Sequence, residues 1–270
     1  MKARISKLLQ NESVLSFCSS ILAIICGLLI GLIILLVSNP SQAGAGFEAI
    51  LMGSFANGTR GIDMMLYLSV PIIMTGLSVG FAFKTGLFNI GVTGQFTAGA
   101  FAAIWVGIKF TFLPSSIHWL VAVFAAMIAG AIWGMVPGLL KAYLNVNEVI
   151  SSIMMNYIGM YTVNMLVQKH LYDSLKNQSV AVAESANLPK GFFDQIIPDT
   201  KMTIAILIAL FFVILVYIIM NKTTFGYEIK ACGKNKEATR YAGINSKRNI
   251  VLSMVIAGAL AGIGGAMLYL

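Results

Sequence analysis

The chemistry this chain could perform has to come from a small set of polar residues, and their types point to binding and docking rather than bond breaking. The single Gly-Lys pair, Gly233–Lys234, is followed by Asn235, and the position five before Gly233 is Glu228, so no phosphate loop is present. The two histidines, His118 and His170, belong to no His/Cys/carboxylate cluster with metal-ligand spacing. They fall in or beside loops expected outside the cell. No catalytic residue and no metal site is therefore assigned, and no cofactor is expected in this chain.

Two groups of polar residues remain. One lies in apolar surroundings: Asn89 and Gln95 in the stretch Lys84–Gln95 (KTGLFNIGVTGQ), and Ser152, Asn156 and Tyr157 in NEVISSIMMNYIG. Amides and hydroxyls of this kind can hydrogen-bond a neutral solute along a path through a membrane. They can equally bond one helix to another, typically for well under 2 kcal/mol each, and both readings stay open. Glu148, Ser152 and Asn156 share one helical face at four-residue steps. Asn147 and Glu148 equally suit an N-cap and a first-turn acid.

The other group is Asn221–Asn249, with seven positive and two negative charges, net +5 of the whole chain's +8. Within it Asn235–Tyr241 (NKEATRY) reads as a short helix: Asn235 caps it, Glu237 sits in the first turn, and Arg240 and Tyr241 close it. Gly233 and Gly243 bound it, and Gly243 is a natural stop. Such an element is suited to dock on a partner and pass motion across, with Lys234, Lys236 and Arg240 supplying charge.

These residues need long apolar elements to hold them. Of the 270 residues 58% are hydrophobic and 10% charged, where a soluble domain carries about a quarter charged. The reading is an all-α integral membrane protein, a polytopic helical bundle forming a single transmembrane domain over residues 1–270. Seven apolar runs near the roughly 20 residues needed to cross hydrocarbon are predicted at 14–37, 64–83, 95–113, 119–140, 149–168, 202–220 and 250–270. Helices are expected because period-two alternation is lacking. The first run follows Lys2, Arg4 and Lys7 and is too long for a signal-peptide core of about 7–15 residues. It reads as an uncleaved span, with cleavage near Ala43–Ala45 as the alternative, and residues 38–62 as an outside loop.

Lys and Arg near span ends are retained in the cytoplasm. With the amino terminus inside, twelve of the 18 basic residues fall on the cytoplasmic side and six outside or in the outer half. The interval Lys169–Lys201 carries no net charge. Basic residues gathered at span ends, rather than on one face, exclude a nucleic-acid partner; membrane lipid is the expected surrounding. Cys18, Cys26 and Cys232 make no disulfide framework and read as inert thiols.

Gly86, Gly91 and Gly94 crowd the Lys84–Gln95 stretch, each costing about 1 kcal/mol in a helix interior. Either a broken helix lining a central cavity or an ordinary turn between spans would explain them. Gly76/Gly80, Gly130/Gly134/Gly138 and Gly258/Gly262 recur at four-residue steps, which predicts close helix packing. Pro71 and Pro137 are candidate kink sites.

Three stretches, Pro71–Ala100, Asn147–Gly159 and Thr223–Arg248 followed by Gly258–Met267, resemble the permease subunits of ABC importers for simple sugars, nucleosides and branched-chain amino acids. They cover under half the chain in the family's order, and the first two are most similar to the nucleoside and simple-sugar branch. The resemblance implies a complex of two permease subunits, a homo- or heterodimer, with an ABC ATPase that binds ATP and Mg. An extracellular solute-binding protein or lipoprotein would feed it, in a bacterial cell membrane. It also implies that Thr223–Arg248 is the loop coupling to the ATPase, with Gly226, Gly233, Asn235, Ala238, Gly243 and Ile244 at matching positions. The Gly86–Gln95 stretch would line the central pathway. Thr93 stands where many relatives carry an acid, and the family continues beyond the last glycine-rich run, so a truncated chain is the expectation. The alternative is an ion-gradient-driven transporter or channel, which expects paired membrane carboxylates; only Asp63 and Glu148, both at span ends, come near that.

Overall fold

The computed structural model describes residues 12–56, 58–174, 176, 178–196 and 200–270. Lys2, Arg4 and Lys7, and Asp199 of the charge-balanced interval, lie outside the described residues. Two compact units result, Met1–Ile62 and Asp63–Leu270.

In the first unit, α1 (Glu12–Ser38) and α2 (Ala43–Ala56) are joined by a tight turn. There the Ser41 hydroxyl donates to Asn39 Oδ1 at 2.7 Å, and Gly46 lies against Leu35. The predicted outside loop thus contains a helix. AGAGFEAILMGSFA is apolar enough to coil, and its glycines, which argue for a loop, are tolerated at about 1 kcal/mol each.

In the second unit the long helices are α3 (Thr59–Lys84, entering from the first), α4 (Val92–Lys109), α5 (Ser115–Leu144) and α6 (Glu148–His170). A two-residue hairpin follows, β1 (Tyr172–Asp173) pairing antiparallel with β2 (Gln178–Ser179). After a 3-10 turn at Glu184–Ala186 come α7 (Phe193–Ile196), α8 (Ala205–Lys222), α9 (Thr224–Lys234), α10 (Lys236–Tyr241) and α11 (Ser246–Tyr269). Each predicted apolar run falls on a helix. Segments of α1, α3, α5, α8 and α11 are long and apolar enough to cross a membrane. Pro71 and Pro137 lie inside α3 and α5 without ending either.

α11 is the centre. It is buried along most of its length because glycine lets three backbones meet. A methyl group on Gly130 would lie 2.2 Å from the Gly258 carbonyl oxygen, and one on Gly262 would lie 2.3 Å from that of Ala126. On the other side, a methyl on Gly99 would lie 2.3 Å from Gly262 Cα, and one on Gly265 2.4 Å from the Phe96 oxygen. α5 and α4 therefore clasp α11 through bare backbone. The predicted Gly76/Gly80 packing is corrected: a methyl on either meets nothing within 4 Å, because these glycines face a groove of about 490 Å³ between α3 and α8.

The ends of this unit separate cleanly. At one end, His118 Nε2–H donates to the Val106 carbonyl at 3.1 Å and Nδ1 faces Ser185 Oγ at 2.8 Å. His118 is thus a buried, satisfied residue of α5's first turn rather than part of a loop. At that same end Asp63 accepts from the Thr200 hydroxyl and from the Lys201 and Met202 backbone N–H groups at 2.9 and 3.1 Å, pinning the entry to α8. At the opposite, basic end the α3–α4 turn, the end of α5, the start of α6, and α9 and α10 come together.

Candidate functional site

At the basic end α8 passes into α9 through a sharp elbow. The Thr223 hydroxyl accepts from the Gly226 N–H at 3.1 Å, and a methyl on Gly226 would lie 2.2 Å from the Ile219 oxygen, so only glycine fits. α9 buries Ile229 and Cys232, with Phe225 half-buried, at four- and three-residue steps, one apolar stripe in a charged helix. Cys232 is the buried thiol; Cys18 and Cys26 are exposed, and all three are free. Two hydrogen bonds brace the elbow: Lys230 Nζ to Asn221 Oδ1 at 2.9 Å and Asn249 Nδ2 to Glu228 Oε2 at 3.0 Å.

α10 follows as the sequence predicts. Asn235 Oδ1 accepts from the Ala238 N–H at 3.0 Å, and Gly243, at φ +79°, ends the turn beyond Tyr241. Thr239 is its buried anchor, donating to the Asn235 carbonyl at 2.6 Å. Lys234, Lys236, Glu237, Ala238 and Arg240 are exposed, and Tyr241 is 92% exposed. Beside them a polar hollow of about 480 Å³ is lined by Lys236, Glu237, Arg240, Gly243 and Lys247 among others. Lys247 Nζ lies 5.2 Å from the Tyr143 ring centre, joining α11's start to the end of α5.

The Lys84–Gln95 stretch holds a non-helical link whose residues alternate between buried and exposed. α3 stops at Lys84, α4 starts at Val92, and the link between them is buried at Thr85, Leu87, Asn89 and Gly91. Gly86 takes φ +75°, the left-handed region that disfavours a side chain. Its backbone meets α9 directly: a methyl on Gly233 would lie 2.4 Å from the Lys84 oxygen and 3.1 Å from Gly86 N. The Thr85 hydroxyl donates to Ser253 Oγ of α11 at 2.6 Å.

Four of the five expected pathway residues come together here. Asn89 Nδ2 donates to Gln95 Oε1 at 3.0 Å, and Gln95 Nε2 donates back to Asn89 Oδ1 at 3.2 Å, which also takes the Gly91 N–H at 3.1 Å. Asn156 Oδ1 accepts from the Gly94 N–H at 2.8 Å while its Nδ2 donates to the Ile90 carbonyl at 3.0 Å, so α6 caps α4 and grips the turn. Ser152 is wholly buried beside Gly91, and among the described residues its hydroxyl has no hydrogen-bond partner. Tyr157 lies apart, 55% exposed on the outer face of α6. Asn147 caps α6 through the Val149 N–H at 2.9 Å, and Glu148 pairs with Lys141 at 2.8 Å across the α5–α6 turn.

Sequence reasoning missed α9 as a helix, the Gly86–Gly233 contact and the Asn249–Glu228 bond. The stripe Phe225/Ile229/Cys232 is the signal that could have found α9. It also passed over Gly76–Gly80 (GLSVG), which has the G-x-S-x-G spacing of a hydrolase nucleophile turn. That spacing acts on a strand-to-helix corner with a neighbouring base. Ser78 instead sits mid-helix, fully buried, its hydroxyl without a hydrogen-bond partner among the described residues.

The family described as "Branched-chain amino acid transport system / permease component" matches residues 61–270, which include the whole of the second unit. The chain belongs to this family of membrane permeases. It is similar to the guanosine ABC transporter permease protein NupP of Bacillus subtilis (strain 168), 42% identical over 92% of this chain and 70% of that one. The nucleoside ABC transporter permease protein NupB of Lactococcus lactis subsp. cremoris (strain MG1363) is 36% identical over 92% and 69%. The glucose ABC transporter permease protein TsgB13 of Haloferax volcanii is 30% identical over 93% and 67%. No solved structure matches the chain at a comparable level of significance. The permease is a multi-pass, all-α membrane protein.

Proposed function

We propose that this permease is the membrane-spanning subunit of an ATP-driven importer, and that its solute is a nucleoside. The observation that carries the reading is likeness to two nucleoside permeases over nine-tenths of the chain, at 42% and 36% identity. The basic end would face the bacterial cytoplasm, with the amino terminus on the same side. There α10 would dock on a separate ABC ATPase that binds ATP and Mg, this chain holding neither. Lys234, Lys236, Arg240 and Tyr241 supply the contact, Asn235, Glu237, Ala238 and Gly243 shape the helix, and Gly226 and Gly233 set its angle. A second permease subunit and an extracellular binding protein or lipoprotein complete the assembly.

The geometry suits this role. α10 is exposed and capped at both ends, while its root, Gly233, lies on the backbone of the α3–α4 turn. That turn is held in turn by Asn89, Gln95 and Asn156. Docking or release at α10 therefore pulls on the turn, and the amide network with Ser152 is the closure across the inner end of the solute path. An ion-gradient mechanism would need carboxylates free to exchange a proton or ion. Asp63 is held by three donors and Glu148 by Lys141.

The test is a double substitution, Arg240→Asp with Tyr241→Asp, in the complete transporter. Membrane insertion should be unchanged, and the ATPase recovered with the affinity-purified permease should fall at least tenfold. Recovery of a normal amount of ATPase would overturn the assignment of α10.

A further inference from the structure

α4 and α6, 18 and 23 residues long, are the long helices of the second unit that fall short of the apolarity of a membrane span. They pack side by side, Asn156 and Gly159 of α6 meeting Gly94 of α4. Part of the polarity of α6 lies on one exposed face. Tyr157, Tyr161, Asn164 and Gln168 recur at steps of four, three and four, so they form a single stripe along α6. All four are exposed, Tyr161 by 66%, and among the described residues their side chains make no hydrogen bond to the rest of the chain. Unpaired amides at membrane depth normally face protein or water rather than lipid.

Next to this stripe a cleft of about 250 Å³ opens between α4, α6 and the end of α11. Asn164, Thr97 and Ser179 bring polar groups to it, and Phe96, Phe101 and Tyr269 supply aromatic walls. Among the described residues no Lys, Arg, Asp or Glu lines it, which suits an uncharged ligand. A planar heteroaromatic ring slides between aromatic faces, and its polar edge and sugar hydroxyls need amides and hydroxyls of the kind found here.

We propose that this α4/α6 face is the nucleoside-contacting surface of the permease, with Tyr161 stacking on the base and Asn164 discriminating between bases. The inference rests on the nucleoside reading given above, and it adds residues that lie outside the buried amide network.

The test uses the complete transporter in proteoliposomes, measuring ATP-dependent uptake of tritiated guanosine with unlabelled inosine, adenosine or cytidine as competitors. Tyr161→Phe, which keeps the ring, should retain uptake, and Tyr161→Leu should lower it about tenfold. Asn164→Leu should change the relative potency of the competitors about tenfold, the scale of one lost hydrogen bond, with ATPase recovery unchanged. As a check independent of folding losses, Asn164→Cys on a background lacking the three native cysteines should react with a small hydrophilic methanethiosulfonate. Guanosine during turnover should slow that reaction. Guanosine uptake by the wild type with an unaltered competitor order in Asn164→Leu, or no protection of the cysteine, would overturn this inference alone. Loss of permease pairing in the stripe variants, with selectivity intact, would make the face a contact between subunits and overturn it as well. Failure of the wild type to take up any nucleoside would overturn both readings.

Discussion

A methyl group at Gly258 would stand 2.2 Å from the Gly130 carbonyl oxygen, and no side-chain rotation can relieve a contact with backbone. Gly258→Ala is therefore expected to push α11 from α5. The cost is that of overpacking, about 1–3 kcal/mol or more. A clear fall in the thermal midpoint of the detergent-purified permease is the outcome expected. Gly80→Ala is its counterpart, because there the same methyl meets nothing within 4 Å. Alanine also favours helix by about 1 kcal/mol over glycine, so this variant should melt no lower than the wild type. Equal midpoints for Gly258→Ala and the wild type would refute the backbone contact. The two glycine pairs have the same spacing in the sequence, so spacing alone cannot tell which faces a neighbour. Residue type was equally mute for Asn89 and Gln95. Their types left a solute contact and a bond within the protein equally open, and in the structure each has the other as a hydrogen-bond partner.

Among elements, α9 and the α3–α4 turn form the joint on which the coupling proposal depends. Gly233→Ala would press a methyl to 2.4 Å from the Lys84 oxygen, moving the turn off α9 without touching the exposed surface of α10. The complex should still assemble and hydrolyse ATP, while solute moved per ATP in proteoliposomes falls at least tenfold. An unchanged ratio would mean that motion does not pass through this joint. The long helices were legible because burying or spanning about 30 Å demands some 20 apolar residues in a row, a signal no loop imitates. α10 was legible from its cap and stop, Asn235 and Gly243. α9 was not, since Phe225, Ile229 and Cys232 are a short apolar stripe among charges. α2 was hidden as well, its four glycine and alanine positions at the start reading as irregular chain. In α9 tertiary contact, not propensity, decides what glycine is for, whereas in α2 the glycines are only tolerated.

On the scale of the whole permease the open question is which end faces the cytoplasm, and charge gives an answer that can be checked. Lys84, Lys141 and the seven basic residues of 221–249 belong to the end that carries α10. At the other end Lys190 pairs loosely with Asp194 at 3.7 Å, and the whole 169–201 interval has no net charge. Translocating the α10 end would carry a net +5 from residues 221–249 across the bilayer, against the potential that retains such segments, about 2.3 kcal/mol per charge per 100 mV. That is far more than the modest asymmetry of the other loops could offset. On a background free of native cysteines, Tyr241→Cys should thus react with a membrane-impermeant maleimide in inside-out vesicles and stay silent in intact cells. Lys190→Cys, exposed at the opposite end, should give the reverse pattern. Labelling of Tyr241→Cys in intact cells would place α10 outside, where no ATPase could reach it. The docking role of Arg240 and Tyr241 would fall with it, although the glycine clasp around α11, which depends on no orientation, would stand.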